Sequence, residues 1–107
     1  MTGFIYHILD PETWNQARIQ GFYRPASLAR EGFIHCATRD QCPGVLARYY
    51  KGQTQLGALV IPVKDVEEKL VWENTLGGEE LFPHIYGPLY PEEVQGTLSI
   101  GELTASP

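Results

Sequence analysis

Eight consecutive residues, Glu31-Gly32-Phe33-Ile34-His35-Cys36-Ala37-Thr38, do most to limit what this chain can become. Phe33, Ile34, Cys36 and Ala37 are core-filling residues. They read as a short buried strand, Phe33 to Ala37, running straight into a helix start at Thr38. His35 interrupts the apolar run. A buried imidazole needs a hydrogen-bond partner for each nitrogen it takes out of water, and an apolar residue would avoid that cost. His35 is therefore the first residue to question for function, with a satisfied core histidine as the competing explanation.

The flanking segments supply the rest of a small fold. Phe4 to Leu9 is rich in aromatic and β-branched residues and reads as a first strand. Asp10 caps a helix that opens on Pro11, turns Trp14 inward and stops at Gly21. Gly21 to Arg30 connects, with one helical turn over Ser27–Arg30. Thr38 with Gln41 fits a capping box for a second helix reaching about Tyr50, its start made irregular by Pro43. Leu56 to Val63 is almost continuously apolar, which predicts cover on both faces. Lys64 to Lys69 is a charged turn, Leu70 to Asn74 a shorter strand, and Thr75 to Glu80 a Gly-rich loop. Leu81 to Tyr86 leads into the turn signal Gly87-Pro88. Pro91 to Val94 forms a helical turn, Val94 to Leu103 a last strand, and Thr104 to Pro107 a frayed tail.

These segments predict one α+β domain over residues 1–107. Two early helices pack on a mixed or antiparallel split sheet of about six strands. The late strands arrive without intervening helices, which argues against a doubly wound parallel sheet. The length, 107 residues, suits one core, and the 43% apolar content is enough to fill it. The net charge is −5 and the eight basic residues form no run, so bulk attraction to nucleic acid or an anionic membrane is not indicated. No apolar stretch approaches the roughly 20 residues of a membrane span. The first residues lack a secretion signal, so a cytoplasmic location is expected. Cys36 and Cys42, six apart, make neither a CxxC pair nor a zinc knuckle and are expected as free thiols.

Three residue groups can carry chemistry. His7, His35 and His84 are the only histidines, and each lies in or beside an apolar strand-like segment. Imidazoles so placed serve as acid or base, as donors to phosphate or ribose, or as independent strand ties. Glu73, beside Trp72, is a second candidate acid or base, its pKa raised if it lies against the indole; simple alternation, Trp72 in and Glu73 out, is the plainer reading. Phe82-Pro83-His84-Ile85-Tyr86-Gly87-Pro88 is stiff and aromatic, suited to wall a flat ligand or to end a core strand. No metal site is expected: His35 and Cys36 are adjacent on a strand and point to opposite faces, and His84 has no closely spaced partner. GxGxxG, P-loop and GxSxG motifs are absent.

Tyr6-His7-Ile8, Trp14 to Gly21, Ser27-Leu28, Glu31 to Cys36, Gln41, Trp72-Glu73 and Phe82 to Leu89 together resemble the bacterial family called domain of unknown function 952. The likeness runs in order over nearly the whole chain. That family in turn looks like a small member of the ADP-ribosyltransferase-like fold and is most similar to the RNA 2′-phosphotransferases. The resemblance implies NAD as cofactor, or an ADP-ribosylated or phosphorylated nucleotide as ligand, held in a His-lined cleft with ADP-ribosyl or phosphoryl transfer as the activity. It implies that His7 and His35 contact ribose and diphosphate, with Tyr23 or Ser27 near the edge. Glu73 would take the place of the ADP-ribosyltransferase glutamate, an assignment resting on fold analogy alone. Arg24, Arg30 and Arg39 are the candidates for holding a phosphate. The resulting expectation has His35, Glu73 and His84 as catalytic residues and His7, Tyr23, Ser27 and Tyr86 as cofactor-binding residues. The alternative is a non-catalytic module for a small metabolite or a protein, in which the histidines are structural.

Overall fold

The computed structural model describes residues 3–105, which form six strands and five helices. Strand β1 (Phe4–Leu9) leads through the cap Asp10, whose side chain accepts from the Glu12 N–H, into helix α1 (Pro11–Gln20). Gly21 ends that helix at φ 98°, a left-handed position that lets its N–H donate back to the Ala17 carbonyl. Helix α2 (Ala26–Glu31) is longer than the single turn expected at Ser27–Arg30, and Gly32 closes it at φ 89°.

Strand β2 (Ile34–His35) is much shorter than the expected Phe33–Ala37. Its neighbour Ala37 leaves the second sheet to bridge Tyr6 of β1, each N–H donating to the other carbonyl at 2.8 Å. The Thr38–Gln41 capping box is present. It opens a 3-10 turn over Arg39–Gln41, and helix α3 (Cys42–Tyr49) follows with Pro43 in its first turn.

Strand β3 (Gly57–Pro62) is buried nearly throughout, and helix α4 (Val63–Val66) with a 3-10 turn over Glu67–Lys69 replaces the expected charged turn. Strands β4 (Leu70–Glu73) and β5 (Phe82–Ile85) flank the Gly-rich loop. The expected last strand Val94–Leu103 is two elements: β6 (Gly96–Ser99) and helix α5 (Ile100–Thr104). The break falls at Ser99, which caps α5 reciprocally with Glu102, a chemistry that competes with strand extension. Thr104, placed in a frayed tail by the sequence, ends α5, and Ala105 follows as its extended cap; residues 106–107 of that expected tail lie outside the described residues.

The strands form two three-stranded antiparallel sheets, ordered β1-β3-β6 and β2-β5-β4, so the split sheet is present and the mixed alternative is not. The first sheet is covered on both faces. Ile5, Leu9, Leu59 and Ile61 pack with Trp14 and Ala17 of α1 and with Ile34, Cys36 and Ile85 of the second sheet. Tyr6, Ile8 and Ala58 pack on the opposite side with Cys42, Leu103 and the inner residues of α3. Double cover explains why Leu56–Val63 carries no polar alternation. The second sheet has one core face; its other face carries the polar and aromatic side chains considered next.

Candidate functional site

Alternation along β2, β4 and β5 sorts the second sheet into two surfaces. Ile34, Cys36, Ile85, Leu70 and Trp72 turn to the core. Phe33, His35, Val71, Glu73, His84 and Tyr86 share the outer face. Register draws them together: His35 stands directly opposite His84, and Val71 opposite His84 on the other side. Glu73 lies two residues beyond Val71, one diagonal step from His84, and Tyr86 lies two residues beyond His84, just past the end of β5, hence on the same face.

The two imidazoles meet edge to face with ring centroids 5.4 Å apart. Phe33 lies flat on His84 at 4.0 Å and tilted against His35 and Tyr86 at 4.8 and 5.3 Å. Each histidine has its own carboxylate. His84 Nδ1–H donates to Glu73 Oε2 at 2.8 Å, and the same oxygen accepts from the Tyr86 hydroxyl. His35 Nε2 meets Glu31 Oε2 at 2.9 Å. The turn at Gly32 makes the second pair, folding the end of α2 back over the start of β2.

The expectation that His35 is buried does not hold: its side chain is 51% exposed, because the strand alternation that buries Ile34 and Cys36 puts His35 outside. His84 is the buried one of the pair, 3% exposed beneath Phe33. Its Nδ1 is taken by Glu73, and its Nε2 has no hydrogen-bond partner among the described residues. No side-chain nitrogen sealed from solvent is left unpaired among the described residues, so Nε2 opens outward.

Glu73 also differs from the expectation of a raised pKa beside Trp72. The indole and the carboxyl point to opposite faces, and hydrogen bonds from Tyr86 and then His84 hold the carboxyl below its ordinary range. The same carboxylate raises the Tyr86 phenol, chiefly because only the neutral hydroxyl can donate the hydrogen bond that Glu73 accepts. A carboxylate that fixes Nδ1–H leaves Nε2 as the lone-pair nitrogen, the tautomer a general base requires.

His7 does not join this group. It lies between the sheets, where its Nδ1–H donates to the His35 carbonyl at 2.6 Å and its Nε2 accepts from the Tyr23 hydroxyl at 2.8 Å. The carbonyl can only accept, which fixes the tautomer. Burial, the largest cause, pushes its pKa down to about 4. Tyr23 is equally buried, its phenol raised by the same loss of water. Of the residues expected to bind a cofactor, His7 and Tyr23 form a hydrogen-bonded chain to the His35 carbonyl in the core. Ser27 is half-buried on α2 and makes no described contact with the histidines.

Of the arginines, Arg39 is committed elsewhere, donating to the Leu103 and Glu102 carbonyls at 3.1 and 2.6 Å and so closing α5. Arg24 and Arg30 are exposed and make no described contact with the cluster. Cys36 and Cys42 are buried free thiols, Cys42 pushed up to about 11. Two surface hollows lie apart from the cluster. One, of about 320 Å³, is lined by residues 64–69 and Glu93; the other, of about 250 Å³, by Asp10 and residues 53–56. Two residues in contact with the histidines were missed as site residues. Glu31 was legible only as the acid four residues before His35, and Phe33 only as a residue of His35 parity.

The matching family model is "Protein of unknown function (DUF952)", over residues 8–97. The chain is similar to protein CC0527 from Caulobacter crescentus, with 34% identity. Its crystal structure matches with TM-score 0.79 over 89% of this chain and 83% of that one. Its solution structure matches with TM-score 0.78 over 90% and 83%. No curated protein matches. The chain belongs to the DUF952 family.

Proposed function

We propose that this DUF952 protein binds a nucleotide-like ligand of the NAD or ADP-ribose class on the outer face of the second sheet and transfers its ribosyl or phosphoryl group. His35 and His84 serve as the acid–base pair, Glu73 orients His84, and Tyr86 supplies a stacking surface. The observation that carries the reading is the register of β2 against β5, which sets His35 and His84 opposite each other with rings 5.4 Å apart and a carboxylate on each. A scaffold needs neither the half-exposed histidine nor the outward Nε2; a site of proton transfer needs both. The ADP-ribosyltransferase-like arrangement implied by resemblance fits two packed antiparallel sheets and supports the choice of ligand by analogy.

A second reading, a binding module without turnover, is favoured by one feature: Phe33 roofs His84, so that only its Nε2 edge is reachable. Calorimetric titration with NAD and ADP-ribose, paired with an assay for nicotinamide release, tests both. Heat with turnover that His84→Gln abolishes supports the enzyme. Heat without turnover leaves the module. No heat with either ligand at millimolar concentration refutes the proposal.

A further inference from the structure

Strand β2 is the slightest support under the site. It is two residues long and lies at the edge of its sheet. Along an antiparallel pair, only alternate residues bond the neighbouring strand. Cys36 N–H donates to the Pro83 carbonyl at 3.1 Å, and Pro83 has no N–H to return. His35, one residue back, therefore turns its carbonyl off the edge of the sheet, toward β1. There the Nδ1–H of His7 donates to it at 2.6 Å, and the Tyr23 hydroxyl donates to Nε2 of His7 at 2.8 Å. Tyr23 is anchored in turn. Its backbone exchanges hydrogen bonds with Leu89 at 2.8 and 3.1 Å, and its ring meets Trp14 edge-on.

A core position does not require a histidine, since burying an imidazole has a cost that an apolar ring avoids. Nor does the joining of β1 to this segment require one, because the backbone bridge between Tyr6 and Ala37 already makes it. What His7 adds is a grip on one peptide, that of the residue standing opposite His84. We propose that His7 and Tyr23 are positioning residues: their hydrogen-bond chain fixes the His35 peptide and so sets the His35 ring against His84 and Phe33. The effect on turnover rests on the proposed function, whereas the effect on ring placement does not. Both side chains are buried, so they act on the outer face only through His35. The half-exposed His35 ring has otherwise only Glu31 and the edges of Phe33 and His84 to hold it. A displacement of about 1 Å in a reacting group can lower a rate on the order of a hundredfold.

The test compares His7→Phe, His7→Asn and Tyr23→Phe with the wild type, the folded state of each checked by its amide spectrum. Ring placement is read from nuclear Overhauser contacts of the His35 ring with Phe33 and His84, and turnover from nicotinamide release. His7→Phe keeps an aromatic ring in the core but has no donor. It should weaken both ring contacts about twofold or more and lower kcat about ten- to hundredfold with KM little changed. His7→Asn, whose side-chain amide places an N–H close to where Nδ1–H stood, should recover most of both. Tyr23→Phe, which keeps the donor and removes its anchor, should fall between His7→Phe and the wild type. Unchanged ring contacts in His7→Phe, or equal losses in His7→Phe and His7→Asn, overturn the inference. If His7→Phe does not fold, Tyr23→Phe decides, and ring contacts equal to those of the wild type overturn it. A wild type that releases no nicotinamide overturns the proposed turnover, while the ring contacts still decide the positioning.

Discussion

Lowering the pH from 7 to 5 should cost the folded protein about 2 kcal/mol through His7 alone. Burial holds this imidazole at about 4 in the fold, against 6.5 in the open chain. At pH 7 neither state binds much proton. At pH 5 the unfolded histidine is almost fully protonated while the native one stays mostly neutral, so acid favours unfolding. The contribution is present above pH 6.5, fades as the pH falls toward 4, and levels off below it. Its full extent is about 3 kcal/mol, at roughly 1.4 kcal/mol per pH unit. Glu73 and Glu102 are held below the ordinary carboxyl range and act mainly below pH 5, and subtracting a His7 variant removes what the other titrating groups contribute. Urea unfolding of the wild type and of His7→Gln at both pH values is the assay. The wild type should lose about 2 kcal/mol more than the variant on acidification. Equal losses, or a His7 ring signal that titrates near 6.5 in the native protein, would refute the account of His7 as a core residue held neutral by burial.

Trp14→Ala should destabilise by about 3–5 kcal/mol, read from denaturant midpoints, because the indole fills the core between α1 and the sheets. Asp10→Ala should cost about 1 kcal/mol by removing the acceptor for the Glu12 N–H. Arg39→Gln should speed amide exchange in α5 more than elsewhere, since its guanidinium closes the carbonyls of Glu102 and Leu103. Glu73→Gln should let the Tyr86 phenol ionise at lower pH, seen as an ultraviolet titration difference that vanishes in the Tyr86→Phe background.

Local chemistry made much of the fold legible. Asp10-Pro11 and Gly21 mark the ends of α1, Thr38 and Gln41 box the next helix start, and the unbroken apolar run over residues 57–62 announces a doubly covered strand. The misplaced elements share a cause. Val94–Leu103 reads as one strand by apolar content, but the Ser99–Glu102 cap makes a helix start inside it. Phe33–Ala37 reads as one strand, yet its chain crosses from β5 to β1 between Cys36 and Ala37, a tertiary event that no local pattern encodes.

The candidate site was half legible. His35, His84, Glu73 and Tyr86 can be picked out as residue types that a core does not need, and they lie together on one face. His7 belongs to the same class of signal but faces the other way, because strand parity and sheet packing decide where an imidazole ends. Glu31 reaches His35 only through the left-handed turn at Gly32, which is visible as a glycine but not as a direction.

The most direct test is a chemical-shift map of the labelled protein titrated with NAD. The account predicts shifts at Phe33, His35, Glu73, His84 and Tyr86, with the ring of His7 unmoved. Shifts confined to the hollow along residues 64–69, or to the one lined by Asp10 and residues 53–56, or none at all, would contradict it.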